Sequence, residues 1–304
     1  MVSGLGERRN GAGASGVIRA RSEMVAAPGH RPERRLLKPD GARSLLLSLL
    51  GEFLLPWGRP VWAGSVIAAL GLLDVDEAAA RQAITRARTD GWITSTPVGR
   101  RGRLALTAEG EQLLREGNDR IWEFARNSGR WDGRITLLTL TTTGLTTALR
   151  EEVRTRLRWS GFGQLSPAFY MSFDEHAEDN AVIALTDLGM ADRAASFRGE
   201  PGKIGDLRAL VEQAWDLDEI AAAHRAFVAD AYGLLDQGTD PFVARFRLTH
   251  AWRHLPLTDP GLPSDYAPAA AAGERPAEVF LRLYARFEGP ADRRWRQLAE
   301  AAEA

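Results

Sequence analysis

The chain contains no cysteine. That absence excludes disulfides, thiolate zinc sites and cysteine nucleophiles, and it fits a reducing compartment. Long apolar runs are missing too. The greasiest stretch, Leu45 to Leu55, is interrupted by Ser48 and Glu52, whereas a spanning helix needs about 20 predominantly apolar residues. No apolar core of a secretory signal is visible at the N-terminus, and no internal repeat can be found. A cytoplasmic protein with no membrane partner is expected. Its 304 residues, 44% hydrophobic and 26% charged, suffice for two or three domains with a sizeable core.

Groups that would support catalysis are also scarce. His250 and His254 stand four residues apart, as two metal ligands on one helix face would, but no third ligand lies at motif spacing. Surface or packing histidines are expected. Gly161-Phe162-Gly163 follows a helical run and lacks a third glycine, so it is not a dinucleotide fingerprint. The acidic run Asp174 to Asp179 reads as a solvated loop. No metal, no cofactor and no enzyme activity are expected.

Net charge is only −1, but it is unevenly spread. Residues 1–117 carry 17 basic against 12 acidic side chains, a net of +5, and the remainder carries 22 against 28, a net of −6. A basic third on an acidic body suits a protein that meets a polyanion at one end.

The basic third also holds the most ordered pattern in the chain. An apolar helix from Ala42 to Leu55 is closed by Pro56 and Gly58, and a second run, Val61 to Leu70, stops at Gly71. A third helix spans Asp76 to Asp90, with acids in its first turn and Gly91 as its stop. Two β-type runs follow, Trp92 to Thr96 and Arg103 to Thr107, around a Pro97-to-Gly102 hairpin tip made basic by Arg100 and Arg101. Three helices and a basic hairpin are the order of a winged helix-turn-helix. On the third helix Ala80, Ala83, Ile84 and Ala87 share one face. Gln82, Thr85 and Thr89 share the opposite one, flanked by Arg81, Arg86 and Arg88. Gln reads adenine, Thr touches the thymine methyl, and arginines neutralise phosphates or read guanine. These residues, with Arg100, Arg101 and Arg103, are the candidate contacts to double-stranded DNA.

The expected architecture is α+β: a disordered arm (1–40), the winged helix (41–117), a linker helix (118–130), a ferredoxin-like unit (131–206) and a helical C-terminal unit (207–304). The ferredoxin-like order is read as a strand at Arg134 to Thr141, a helix at Leu145 to Trp159, strands at Gln164 to Phe173 and Ala181 to Thr186, and a helix at Met190 to Phe197. A last strand is weakly signalled near Lys203-Ile204. The tail reads as helices at Leu207 to Trp215, Leu217 to Leu235, Asp240 to His254, Pro276 to Arg286 and Pro290 to Ala301.

Three separated motifs resemble those of the PaaX-type transcriptional repressors. The stretch Ala80 to Arg103 resembles their recognition helix and its Gly-Trp passage into an Arg-rich wing. Gly161-Phe-Gly-Gln-Leu-Ser-Pro167 resembles their middle signature. Ala214-Trp-Asp-Leu217, Trp252-Arg253 and Asp259-Pro-Gly-Leu-Pro263 resemble the C-terminal one. The likeness covers about Gly41 to Arg286. It implies a homodimer on a palindromic operator, released when an acyl-CoA thioester, typically phenylacetyl-CoA, binds the body. It also implies a likeness of the middle unit to a small CRISPR nuclease. An acid at the end of the first strand would be wanted for such a nuclease, but Leu140 is followed by Thr141 to Thr143. A metal-dependent nucleic-acid-processing enzyme and a protein-binding scaffold remain as alternatives. The effector site is expected where the ferredoxin-like unit meets the helical tail, with Tyr170, Trp215 and Trp252 as aromatic walls and Arg253 as its cation.

Overall fold

The computed structural model describes residues 41–235, 238–268 and 274–301. The expected disordered arm, 1–40, lies outside the described residues.

The first helix, α1 (Ala42–Leu49), runs on through a π-helical stretch (Leu50–Leu54) and a last turn (Leu55–Trp57) to Gly58, whose φ of +66° ends it. Pro56 therefore lies inside the final turn rather than closing the helix. Val61 and Trp62, expected in the second helix, form a short strand β1 (Val61–Trp62). A β-branched residue beside an aromatic one suits that extended backbone, and helix α2 (Ala63–Gly71) starts only after it. Helix α3 (Glu77–Thr89) is capped by Asp76, whose carboxylate accepts from the Ala79 amide at 2.8 Å. Strands β2 (Ile93–Val98) and β3 (Arg101–Leu106) follow, and the sheet is ordered β1-β3-β2, all antiparallel. The hairpin tip is only Gly99-Arg100, tighter than the six-residue loop expected. Positive φ at Gly99 alone gives the two-residue turn whose twist matches the strands.

Helix α4 (Ala108–Asn127) is one continuous element of 20 residues, capped by Thr107. The linker helix expected at 118–130 is the second half of this element, as far as Asn127. Ile121, Trp122, Phe124 and Ala125 pack into the core of the tail, and the Trp252 indole donates to the Ile121 carbonyl at 3.1 Å.

The middle unit holds β4 (Ile135–Leu140), α5 (Thr147–Trp159), β5 (Gly163–Ser166), β6 (Phe169–Ser172), α6 (Ala177–Asp187) and β7 (Ala194–Gly199). Its antiparallel sheet is ordered β5-β6-β4-β7. The expected alternation of strands and helices is present, but on different residues after Gly163. The single strand expected over Gln164 to Phe173 is a hairpin folded at Pro167-Ala168. The strand expected at Ala181 to Thr186 is part of helix α6: Ala177, Ala181, Ala184 and Leu185 form its buried stripe, leaving Val182 and Ile183 outside. The helix expected at Met190 to Phe197 gives way to strand β7, and Lys203-Ile204 forms no strand. β-Branched Val182 and Ile183 suggested a strand locally, but the three-to-four-residue spacing of the alanines decided the packing.

In the tail, α7 (Leu207–Ala214), α8 (Leu217–Gly233) and α9 (Pro241–Trp252) fall where expected. The two closing helices are one, α10 (Pro276–Glu300), with Pro290 inside it. Burial at Val279, Leu283, Phe287, Ala291, Trp295 and Ala299 keeps a four-residue step straight through the proline. A buried stripe of that length offsets the one backbone hydrogen bond that proline removes.

A polar seam ties α1 to this tail. Ser44, Ser48 and Glu52 lie at four-residue steps and are all buried. Ser48 Oγ meets His250 Nδ1 at 2.7 Å and accepts a hydrogen bond from Arg253. Arg245 sets its Nε 2.9 Å from the Glu52 carboxylate, its Nη2 on the Glu52 carbonyl at 3.3 Å and its Nη1 on Asp292 at 2.6 Å. The same guanidinium lies over the Phe53 ring at 4.3 Å. Burial pushes the Glu52 carboxyl up to about 7, against the opposing pull of Arg245.

Candidate functional site

Helix α3 presents the face anticipated for it. Ala80, Ala83, Ile84 and Ala87 are buried, while Arg81, Gln82, Thr85, Arg86, Arg88 and Thr89 are exposed. The outward residues are not equivalent. Arg81 is held by Glu77 one turn earlier, with Nη2 2.6 Å from its carboxylate. Thr85 and Thr89 donate their hydroxyls to the Arg81 and Thr85 carbonyls at 2.9 and 3.1 Å. Arg86 and Arg88 carry no ion pair among the described residues.

The helix is braced from behind. Arg43 of α1 pairs with Asp90 at 2.7 Å and lies over the Trp92 ring at 4.9 Å. The start of β2 is pressed against α4: a Cβ on Gly110 would stand 2.0 Å from the Trp92 carbonyl oxygen, so only glycine fits.

On the hairpin the three arginines separate. Arg100 occupies the exposed tip. Arg101 and Arg103 stand over the Trp62 ring at 5.9 and 4.7 Å, so Arg103 belongs to the packed base of the hairpin rather than to its tip.

The four residues expected around an effector are dispersed. Tyr170 is buried in the core between the middle sheet and α5 and α6, its hydroxyl accepting from Gln164 at 3.2 Å. Trp215 packs with Phe173 at 5.9 Å, and its ring sits where a Cβ on Gly163 would be. Trp252 is fully buried among Phe124, Phe227 and Phe280. Arg253 faces the seam with α1, where burial alone lowers its pKa to about 10.

A cleft of about 490 Å³ does open where α4, the middle unit and the tail meet. Phe124, Trp131, Trp159 and Phe173 supply aromatic wall, and Trp215 backs Phe173. Most of the charged lining is internally paired: Asp132 with Arg198 at 2.9 Å, Glu123 with His176 at 2.9 Å, and Asp259 with His224 at 2.7 Å. Arg120 and Arg130 line the cleft with no ion pair among the described residues. Asp174, read from sequence as part of a solvated loop, lies partly buried in the cleft, and burial raises its pKa. The Asp259-Pro-Gly-Leu-Pro263 turn forms another wall, its Asp259 accepting from the Gly261 amide at 2.8 Å. Arg120, Trp131, Trp159 and Asp174 were missed because each lies on a different element, and only Asp174 stood in a stretch that drew notice. His250 and His254 meet edge to face at 4.8 Å. Among the described residues no cluster of three His, Asp or Glu is placed to hold a metal.

Three family descriptions match successive parts of the chain: PaaX-like protein at 41–110, the PaaX protein central Cas2-like domain at 128–211, and the PaaX-like protein C-terminal domain at 215–297. The Transcriptional repressor PaaX of Escherichia coli strain K12 is 30% identical over 260 residues, which are 82% of this chain and 81% of that one. The chain belongs to the PaaX-like family. A solved structure of an uncharacterized Mycobacterium tuberculosis protein, 24% identical, superposes with a TM-score of 0.57 over 85% of the present chain and 99% of its own. At that identity the likeness is one of fold. Within this PaaX-like chain two signature motifs are in direct contact, since the Trp215 ring closes over Gly163. Among the described residues no helix is long and apolar enough to cross a membrane.

Proposed function

We propose that the protein is a cytoplasmic transcriptional repressor whose residues 41–117 form a winged helix-turn-helix. On this reading 131–206 form a ferredoxin-like unit and 207–304 a helical unit, with 118–130, the second half of α4 and the turn after it, joining them. Two copies bind a palindromic duplex operator, α3 entering the major groove and the hairpin touching the backbone. The observation that carries the reading is the outward row of α3, Gln82, Thr85 and Thr89, flanked by exposed Arg86 and Arg88 and followed by the Arg100 tip. With their hydroxyls tied inside the helix, the threonines offer methyl groups to thymine, and Gln82 offers a bidentate edge to adenine. Arg81, already paired with Glu77, must give up that partner to reach phosphate. The E. coli relative's name supports the repressor role.

The effector is an aromatic acyl-CoA thioester or a related small molecule, and the cleft beside Trp159 is the place proposed for it. Its aromatic walls suit an aryl group, and Arg120 and Arg130 are the cations left for an anionic one. Residue by residue this replaces Tyr170, Trp252 and Arg253, which line no part of that cleft, and keeps Trp215 as a backing ring.

A salt-dependent gel shift on the chain's own upstream DNA tests the DNA contacts. Gln82→Ala should relax preference at one operator position by about 1–3 kcal/mol. Arg100→Ala with Arg101→Ala should weaken all sequences alike and lower the salt slope by about 1 to 2. Unchanged preference and unchanged slope together would remove α3 and the hairpin from the interface.

A further inference from the structure

Helix α10 buries Val279, Leu283, Phe287, Ala291 and Trp295 along one side. At about 100° per residue, Arg282, Arg286, Arg293 and Arg296 fall together on the opposite side, and all are exposed. Arg282 is held by Glu274 at 2.8 Å. Arg286, Arg293 and Arg296 carry no ion pair among the described residues. Between Arg282 and Arg296 no acid falls within the row. Asp292 lies beside it and pairs with Arg245 at 2.6 Å, and Glu288 lies farther round the helix. Midway along the row stands exposed Gly289, where no side chain bars a close approach.

Exposed arginines on a helix are ordinary; the direction of this row is not. It leads into the N-terminal unit. Glu300, at its end, pairs at 3.2 Å with Arg59, just before β1. The Ser65 hydroxyl of α2 donates to the Ala299 carbonyl at 3.4 Å, and Trp295 meets Trp57 edge to face at 6.4 Å. Ser65 lies in the first turn of α2, which begins at Ala63-Gly64 with no side-chain hydrogen bond to its cap. The positive end of that helix and the end of the arginine row therefore stand side by side.

We infer that the arginine row of α10 is a second contact to duplex DNA, holding the phosphate backbone beside the segment taken by α3. The inference rests on the DNA-binding reading above and extends it to a face of the C-terminal unit. Charge and continuity with α2 select this occupant. From Arg286 to Arg296 is about 15 Å at 1.5 Å per residue, the rise of roughly four nucleotides along one strand. Guanidinium forks suit phosphate oxygens. Phosphate contacts fix position without reading sequence, so this face adds affinity and no base preference.

The test combines Arg286→Ala, Arg293→Ala and Arg296→Ala in the full chain, on the chain's own upstream DNA. Circular dichroism should match wild type, since all three side chains are exposed. Affinity should fall roughly tenfold or more for every sequence, and the salt slope should drop by about 2 to 3, at about 0.9 per phosphate contact. The hydroxyl-radical footprint should shorten at its flanks, while preference in a randomised-site selection stays that of wild type. Lysine at the same three positions should hold the slope within about 1 of wild type, because phosphate attracts either cation. A lysine variant as weak as the alanine one overturns a contact based on charge. Unchanged slope and footprint in the alanine variant, with Arg100→Ala and Arg101→Ala still weakening binding, overturn the row and leave the α3 reading intact. A lower slope with a footprint of full length overturns contact in favour of attraction at a distance. If wild type binds no duplex even at low salt, the DNA reading falls and this inference with it.

Discussion

Replacing Arg245 by methionine should expose how tightly α1 is tied to the tail. Arg245 and Glu52 are 4% and 7% exposed at the side chain, with Nε and Oε1 2.9 Å apart. Removing one partner of such a pair leaves a desolvated charge, at a cost of about 3–5 kcal/mol. Here the carboxylate can escape by taking a proton. Its pKa is already raised from 4.5 to about 7 by burial, and Arg245 is the main influence holding it down. In wild type the folded state therefore binds more protons than the unfolded chain between pH 4.5 and 7, so this group's contribution to stability falls as pH rises through that window. Without Arg245 the fall continues to higher pH. Arg245→Met should accordingly lose the full amount, about 3–5 kcal/mol, at pH 8.5 and less at pH 6. Adding Glu52→Gln to Arg245→Met should restore most of the loss at high pH, because no charge then remains to be buried. Urea unfolding followed by circular dichroism at the two pH values measures all three variants. An equal loss at both, or a double variant no better than the single one, would refute the account and assign the cost to lost packing against Phe53.

Two further outcomes are expected. Gly110→Ala should destabilise the fold by about 3 kcal/mol or more, since its Cβ would fall 2.0 Å from the Trp92 carbonyl oxygen and α4 would have to move off β2; a thermal melt at wild-type values would show that the contact relaxes freely. Trp159→Ala should weaken binding of aryl acyl-CoA esters roughly tenfold while leaving operator affinity without effector unchanged, as followed by calorimetry and gel shift; undiminished binding would move the effector out of the cleft.

Local patterning in the sequence determined the N-terminal unit and the exposed face of α3. There the apolar step of three to four residues, the Asp76 cap and the Gly99 turn all act within a few positions of one another, so helix, turn and hairpin are decided by short-range chemistry. The tail helices were equally legible up to Pro290, where a local helix breaker was outweighed by a buried stripe along all of α10. Tertiary structure decided the rest. Val182 and Ile183 favour a strand by themselves, and only packing of Ala181 and Leu185 against the middle sheet makes that segment helical. Ser48 and Glu52 interrupt an apolar run in sequence, and nothing local reveals that His250, Arg253 and Arg245 wait some 200 positions away. The cleft is the extreme case. Its aromatic rings and its arginines Arg120 and Arg130 come from α4, α5 and the loops around them, and it exists only because those elements converge. Aromatic residues chosen by type alone, such as Trp252 and Tyr170, went to the core because burying a large ring against apolar neighbours stabilises the fold wherever it sits, with or without a ligand.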